Sequence, residues 1–252
     1  MLSLIVRNKK NGFTLIELLV VISIIAVLMA IMMPALAKVK QQARRITCST
    51  NMHSIGAAIN LYAHDNKNYI PPLNLSPNKG VNGTGTQRTN MWGRMFTRSD
   101  IGVGQWAPWW NLGFLWKEKY LETGEVFYCT SPNNFYKYEL YSVPSFPTER
   151  SYAVRISYTY NPICKSLTDR NRKYNRTDEC NGQMLLMADL LTDGGAAHEG
   201  PGWNVLWGDG HVDFQKNPHV LELIQKDVTG FSESNYMLFD MVIDALMTQT
   251  KR

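Results

Sequence analysis

Glu17 is a carboxylate inside a hydrocarbon run. From Phe13 to Ala37 the 252-residue chain is almost wholly apolar, and Glu17 stands four residues into that run without a basic partner at helical spacing. A carboxylate deep in a bilayer costs roughly 2.5–3.5 kcal/mol on insertion scales, so it signals a partner supplied from elsewhere. A second group lies towards the other end: His198, Asp209, His211 and Asp213 combine imidazole with carboxylate, side chains that ligate metals and transfer protons. Asp189, Asp193, Asp209 and Asp213 are hard oxygen donors of the type calcium takes, although no EF-hand spacing joins them. Cys48, Cys129, Cys164 and Cys180 complete the reactive set, at wide spacings without the C-x-x-C pairs that zinc sites and redox motifs generally use.

Each group also has a reading without chemistry. Asp209 falls in a turn, and strand alternation puts His211 and Asp213 on one face, where solvent exposure accounts for them. No nucleophile-bearing motif and no phosphate loop accompanies them, so an enzyme is not expected. The formal charge of +5 is small and its cations are scattered, which argues against a nucleic-acid partner. Arg7, Lys9 and Lys10 precede the apolar run, and removing those three cations would leave +2. The positive balance is largely a basic flank that stays on the cytoplasmic side of a membrane.

At about 1.5 Å per residue a helix from Phe13 to Ala37 is roughly 37 Å long, enough to cross a hydrocarbon core about 30 Å thick. A cleaved secretory signal fits, because the run ends in Pro34-Ala35-Leu36-Ala37, an A-x-A pattern after Ala37. Composition alone favours it over an ordinary transmembrane anchor, and Glu17 stands against it. Pro34 is compatible with a kink in a continuing helix or with a helix end. Beyond it, Ala43, Ile46, Cys48, Met52, Ile55, Ile59 and Tyr62 recur three or four apart, the pattern of an amphipathic helix over residues 38–66. Asp65-Asn66-Lys67-Asn68 and then Pro71-Pro72 should stop it.

A head over residues 67–252 follows. Residues 74–104 are dominated by Asn, Gly, Thr and Ser and read as a long surface loop. Trp92, Trp106, Trp109, Trp110 and Trp116 anchor this segment on a core or form a platform for a carbohydrate or a partner. Strands are expected at Val126–Cys129, Tyr152–Tyr160, Met184–Asp189, Asn204–Trp207 and His211–Phe214. The last two flank Gly208-Asp209-Gly210, whose glycines allow the positive dihedral angles of a hairpin turn. Short helices are expected after Pro218 and over Tyr236–Met247.

The string Gly12-Phe13-Thr14-Leu15-Ile16-Glu17-Leu18-Leu19-Val20-Val21, behind its basic leader, closely resembles the class III prepilin signature of type IV pilins and secretion pseudopilins. The C-terminal region is similar to the H-x9-DG group of prepilin-like proteins through His198, Asn204, Val205, Leu206, Asp209, Gly210, His211 and Val212, with ten residues rather than nine between His198 and Asp209. Apart from Phe127-Tyr128-Cys129, residues 67–180 are poorly covered by either likeness.

The resemblance implies that a prepilin peptidase cuts after Gly12 and methylates Phe13, leaving residues 13–37 as a transmembrane and filament-core helix. It implies that Glu17 meets the new α-amino group of a neighbouring subunit. The expected fold is α+β, a long pilin-like N-terminal helix packed on a head with an antiparallel sheet. The expected function is a structural subunit of a type II secretion pseudopilus or related type IV pilus-like filament that supports protein secretion. Its partners would be prepilin peptidase, copies of itself, other pseudopilins and an inner-membrane assembly platform. It would be single-pass in the inner membrane, with its N-terminus cytoplasmic and its head in the periplasm, there or in a surface filament. The oxidising compartment favours disulfides over free buried thiols; four cysteines allow three connectivities among which the sequence does not choose, and Cys48 with Cys129 and Cys164 with Cys180 is the preferred scheme. Calcium is the cofactor to consider, since major secretion pseudopilins bind it in C-terminal loops, although Asp189, Asp193, Asp209 and Asp213 do not match that loop residue by residue. The competing reading is a membrane-tethered surface-binding protein that uses the prepilin export route and recognises a polymer through its Trp-rich head.

Overall fold

A computed structural model describes residues 13–71, 94–97, 111–131, 136–140, 153–161, 176–189, 198, 202–226, 242 and 245–247. The chain divides into two compact units, residues 1–42 and 43–252. Helix α1 runs without interruption over Leu15–Asp65. It continues through Pro34, so that residue ends nothing.

In the first unit every described residue from Phe13 to Val39 is exposed, and the most apolar 18-residue window of α1 has a mean hydropathy of 3.0. This stretch is long and apolar enough to cross a membrane. Leu, Ile, Met and Ala favour the helix, and in lipid its backbone groups must be paired within the segment.

In the second unit α1 gains a protein-facing stripe. Cys48, Met52, Ile55, Gly56, Ala58, Ile59, Tyr62 and Ala63 are buried, and they include the apolar positions expected from helical spacing. Polar residues on the exposed side satisfy themselves locally: the hydroxyls of Thr47, Thr50 and Ser54 donate to the carbonyls of Ala43, Ile46 and Thr50. At the end of the helix the Asn66 and Asn68 backbone N–H groups reach back to Tyr62 and Ala63, while Lys67 and Asn68 adopt φ of 56° and 67°. Left-handed residues of this sort close a helix C-terminus.

The stripe packs on a four-stranded antiparallel sheet of order β3-β4-β5-β6, formed by Tyr158–Tyr160, Leu185–Asp189, Gly202–Trp207 and Val212–Lys216. All of β4 and β5 is buried. Leu206 belongs to the core built around α1, whereas Trp203 and Trp207 are wholly buried outside that cluster. Strand alternation therefore gives β5 two covered faces. The β5–β6 hairpin turns through Gly208-Asp209-Gly210, as the glycines led one to expect, with Gly210 at φ 92° and the Asp209 carboxylate accepting from the His211 N–H. Helix α3, Pro218–Lys226, starts at the expected proline, and Asn217 caps it by accepting from the Val220 N–H. Residues 242 and 245–247, inside the second expected helix, are helical.

Three expectations are corrected. Val126–Cys129 is not a strand: a 3-10 turn covers Gly124–Phe127, started by the Thr123 hydroxyl, which accepts from the Glu125 N–H. Tyr152–Tyr160 is two strands, β2 (Ala153–Arg155) and β3, because the Ser157 N–H donates to the Phe127 carbonyl and its hydroxyl to the Tyr136 carbonyl. The chain changes partner there. The polar stretch 74–104 contains strand β1, Arg94–Thr97, paired antiparallel with β2; most of that stretch, with Trp92, lies outside the described residues. A short helix α2, Gly113–Lys117, carries the partly buried Trp116 against the core, and the Tyr120 hydroxyl donates to Asp65 at 2.7 Å, fixing the end of α1.

Gly56 sets how closely α1 approaches β5. A Cβ there would lie 3.1 Å from Leu206 Cδ1. We expect Gly56→Leu to destabilise the head by about 1–3 kcal/mol, and Leu206→Ala in the same chain to recover part of the loss, since each change alone is unfavourable. Urea unfolding in detergent, followed by the fluorescence of buried Trp203 and Trp207, checks this; simple additivity of the two losses would contradict it.

Candidate functional site

Two places concentrate chemistry. The first is the start of α1, where Thr14 is the N-cap. Its hydroxyl accepts from the Glu17 N–H at 3.3 Å, and the Glu17 carboxylate accepts from the Thr14 N–H at 2.9 Å and the Thr14 hydroxyl at 2.8 Å. This is a reciprocal capping box, in which two donors that a helix N-terminus leaves unsatisfied find partners. Glu17 therefore has hydrogen bonds inside its own chain. Thr-x-x-Glu ahead of an apolar run is the sequence signal of such a box, a local geometry distinct from the charge that suggests a partner from elsewhere. Phe13 is exposed beside it, and Gly12 lies outside the described residues.

The second place is inside the head, where Cys48, Cys129, Asp189 and His198 converge so that one ligand atom from each lies within 4.8 Å of all the others. Four separate segments supply them. Cys48 opens the buried stripe of α1, and Cys129 follows the 3-10 turn at Gly124–Phe127. Asp189 ends β4, and His198 forms an isolated bridge with Gly202 at the start of β5. All four are buried, Asp189 and Cys48 completely.

The contacts centre on the His198 ring. Nε2 lies 3.1 Å from Asp189 Oδ2, 3.8 Å from Cys129 Sγ and 3.1 Å from Asn204 Nδ2. Asp189 Oδ2 also accepts from the Asn204 N–H at 2.7 Å, while Asp189 Oδ1 is buried without a hydrogen-bond partner. Asn204 Nδ2 is 3.3 Å from the Arg45 carbonyl oxygen, one turn before Cys48, and Cys48 Sγ is 4.0 Å from Thr130 Oγ1. Hydrogen bonding from Cys129 pulls the Cys48 thiol down to about 6, and the same pairing with Cys48, reinforced by burial, pushes Cys129 upward. Burial opposes a charged His198, but the Asp189 and Cys48 contacts outweigh it and raise the ring to about 9. The pair of thiols thus holds one proton readily and gives up the other.

The remaining reactive residues lie apart from this cluster. Asp209 pairs with His211 on the exposed hairpin, where His211 also stacks on Trp207. Asp213 accepts from Trp207 Nε1 at 2.8 Å and from Gln215. Of the four carboxylates weighed for calcium, only Asp189 enters a ligand group among the described residues, and its companions there are two sulfurs and an imidazole. Asp193 and Cys164 lie outside the described residues, as do Trp106, Trp109 and Trp110; Cys180 is half-buried, and Cys48 and Cys129 lie side by side.

Comparison with known proteins bears on the first place. Residues 7–33 match the family described as the prokaryotic N-terminal methylation motif. Over 63 residues the chain is 35% identical to the type II secretion system core protein G of Pseudomonas aeruginosa, a match that covers 25% of this chain and 44% of that relative. The chain thus spans less than half the length of the relative it matches. No solved structure matches it. A methylation motif thus leads into a continuous helix whose first part, as far as Val39, is exposed and largely apolar, and over its N-terminal residues the chain is similar to prepilin-like proteins of the pseudopilin kind.

Proposed function

We propose that this chain is a structural subunit of a type II secretion pseudopilus or a related type IV pilus-like filament, and that its work is assembly rather than catalysis. The observation that carries the reading is the stretch from Phe13 to Val39, predominantly apolar and exposed throughout, with a methylation motif at its head. Such a surface has no place in water. It is matched by lipid before assembly and by the same helices of neighbouring copies afterwards.

In this reading prepilin peptidase removes residues 1–12, cutting between Gly12 and Phe13 and methylating the new amine. Residues 13–37 hold the chain in the inner membrane with the head in the periplasm, and an assembly platform in that membrane passes it into a filament of its own copies and other pseudopilins. Glu17 keeps its capping bonds to Thr14 and still offers a negative charge, because a carboxylate has lone pairs beyond those two bonds. The α-amino group of an incoming subunit is the cation that would neutralise it.

Processing is read directly by mass spectrometry of protein extracted from membranes. The expected first residue is N-methylated Phe13; a chain beginning after Ala37 would refute the assignment. The charge of Glu17 is separated from its capping role by comparing Glu17→Ala with Glu17→Gln, since glutamine retains the capping geometry and loses the charge. Both variants should be inserted and processed normally, and both should lower filament yield by about ten-fold or more, the effect of losing one charge pair in a low-dielectric setting. Wild-type filament yield from Glu17→Gln would show that capping alone is required.

A further inference from the structure

We propose that Cys48, Cys129, Asp189 and His198 form a tetrahedral structural zinc site that fastens the amphipathic part of α1 to the sheet of the head. The distances already approximate such a polyhedron. Zinc bonds of about 2.3 Å to sulfur and about 2.1 Å to nitrogen and oxygen give tetrahedral edges of roughly 3.4 Å between N and O and 3.6 Å between N and S. The corresponding separations are 3.1 Å from His198 Nε2 to Asp189 Oδ2 and 3.8 Å from His198 Nε2 to Cys129 Sγ. All four ligand atoms lie within 4.8 Å of one another.

The donor set selects the metal. Two thiolates with one imidazole and one carboxylate are borderline-soft ligands that suit zinc, whereas calcium and magnesium require oxygen. Four side chains close the coordination shell, and their burial leaves no position for a substrate, which marks the site as structural. The unpaired Asp189 Oδ1 is the independent sign of a missing partner. A buried carboxylate oxygen without a hydrogen bond is costly, so an unpaired Oδ1 beside an Oδ2 that keeps a lone pair beyond the Asn204 N–H leaves the Asp189 carboxylate short of a cation. Asn204 acts behind the ligands: its N–H orients the Asp189 carboxylate, and its side chain reaches the Arg45 carbonyl one turn before Cys48. On binding, both sulfurs coordinate as thiolates and the His198 ring as the neutral imidazole through Nε2, and whatever protons these groups held pass to solvent.

The test uses the full chain, extracted from membranes in mild detergent without chelator and exchanged into buffer containing zinc. Elemental analysis should find about one zinc per chain, falling below about a tenth in Cys48→Ser and in Cys129→Ser. Asp189→Asn, which keeps the shape of the side chain, should lower zinc affinity at least about ten-fold in competition with a chelator. Should the cysteine variants fail to fold, cobalt substitution of the unaltered chain decides the matter: a thiolate-to-cobalt charge-transfer band with strong tetrahedral visible absorption is expected, and its absence overturns the site. A metal-free chain whose main species is a Cys48–Cys129 disulfide, found by peptide mapping without reduction, also overturns it. None of these outcomes touches the filament assignment, which depends on residues 13–37.

Discussion

One helix here has to satisfy two solvents. Up to about residue 42 the side chains of α1 are turned outward on every side, and from Cys48 onward one stripe is sealed against protein. A free-standing helix with an apolar exterior is unfavourable in water, and an amphipathic helix without its sheet is only marginally stable. The two halves thus place different demands on the same backbone, and the rest of the chain answers the second demand. The sheet presents Leu206 where Gly56 leaves room for it, and Cys48 at the start of the buried stripe is met by residues from three distant segments.

That arrangement makes the head a device for holding the second part of α1. Hydrophobic burial under Met52, Ile55, Ile59 and Tyr62 is non-directional and permits sliding along the helix. Directional bonds prevent it. Asn204 reaches the Arg45 carbonyl at one end of the stripe, Asn51 reaches the Tyr128 carbonyl in the middle, and Tyr120 holds Asp65 at the other end. Each is a polar contact at a defined position on the helix, so together they set register as well as affinity.

Much of the fold was legible because its signals were local. The period of the buried stripe, the glycines of the β5–β6 hairpin and Pro218 at the start of α3 each act over a few residues, and each element formed where they indicated. The failures have the same origin in reverse. Val126–Cys129 is rich in strand formers, yet the Thr123 cap and the demand of Ser157 for the Phe127 carbonyl make it a turn, and neither partner is visible in the run itself. The buried group at Cys48, Cys129, Asp189 and His198 was illegible for a plainer reason. Its members come from four segments with no common spacing, so only the folded chain brings them together. The Thr14–Glu17 box differs again, since its spacing was in plain view and a membrane carboxylate was read for its charge before its geometry.

Among the described residues the four-stranded sheet ends at β6, a strand in which Asp213, Gln215 and Lys216 accompany Val212 and Phe214. In the filament proposed above, heads held side by side would offer an outer strand to their neighbours at very high local density. An apolar, flat edge under those conditions would template strand addition from one copy to the next and run on into cross-β stacking. Charges along β6 raise the cost of desolvating that edge, and the carboxylate of Asp213 is already committed to Trp207. In such an assembly crowding would favour contacts through side-chain surfaces, which can be made and broken, over backbone ladders, which are hard to undo.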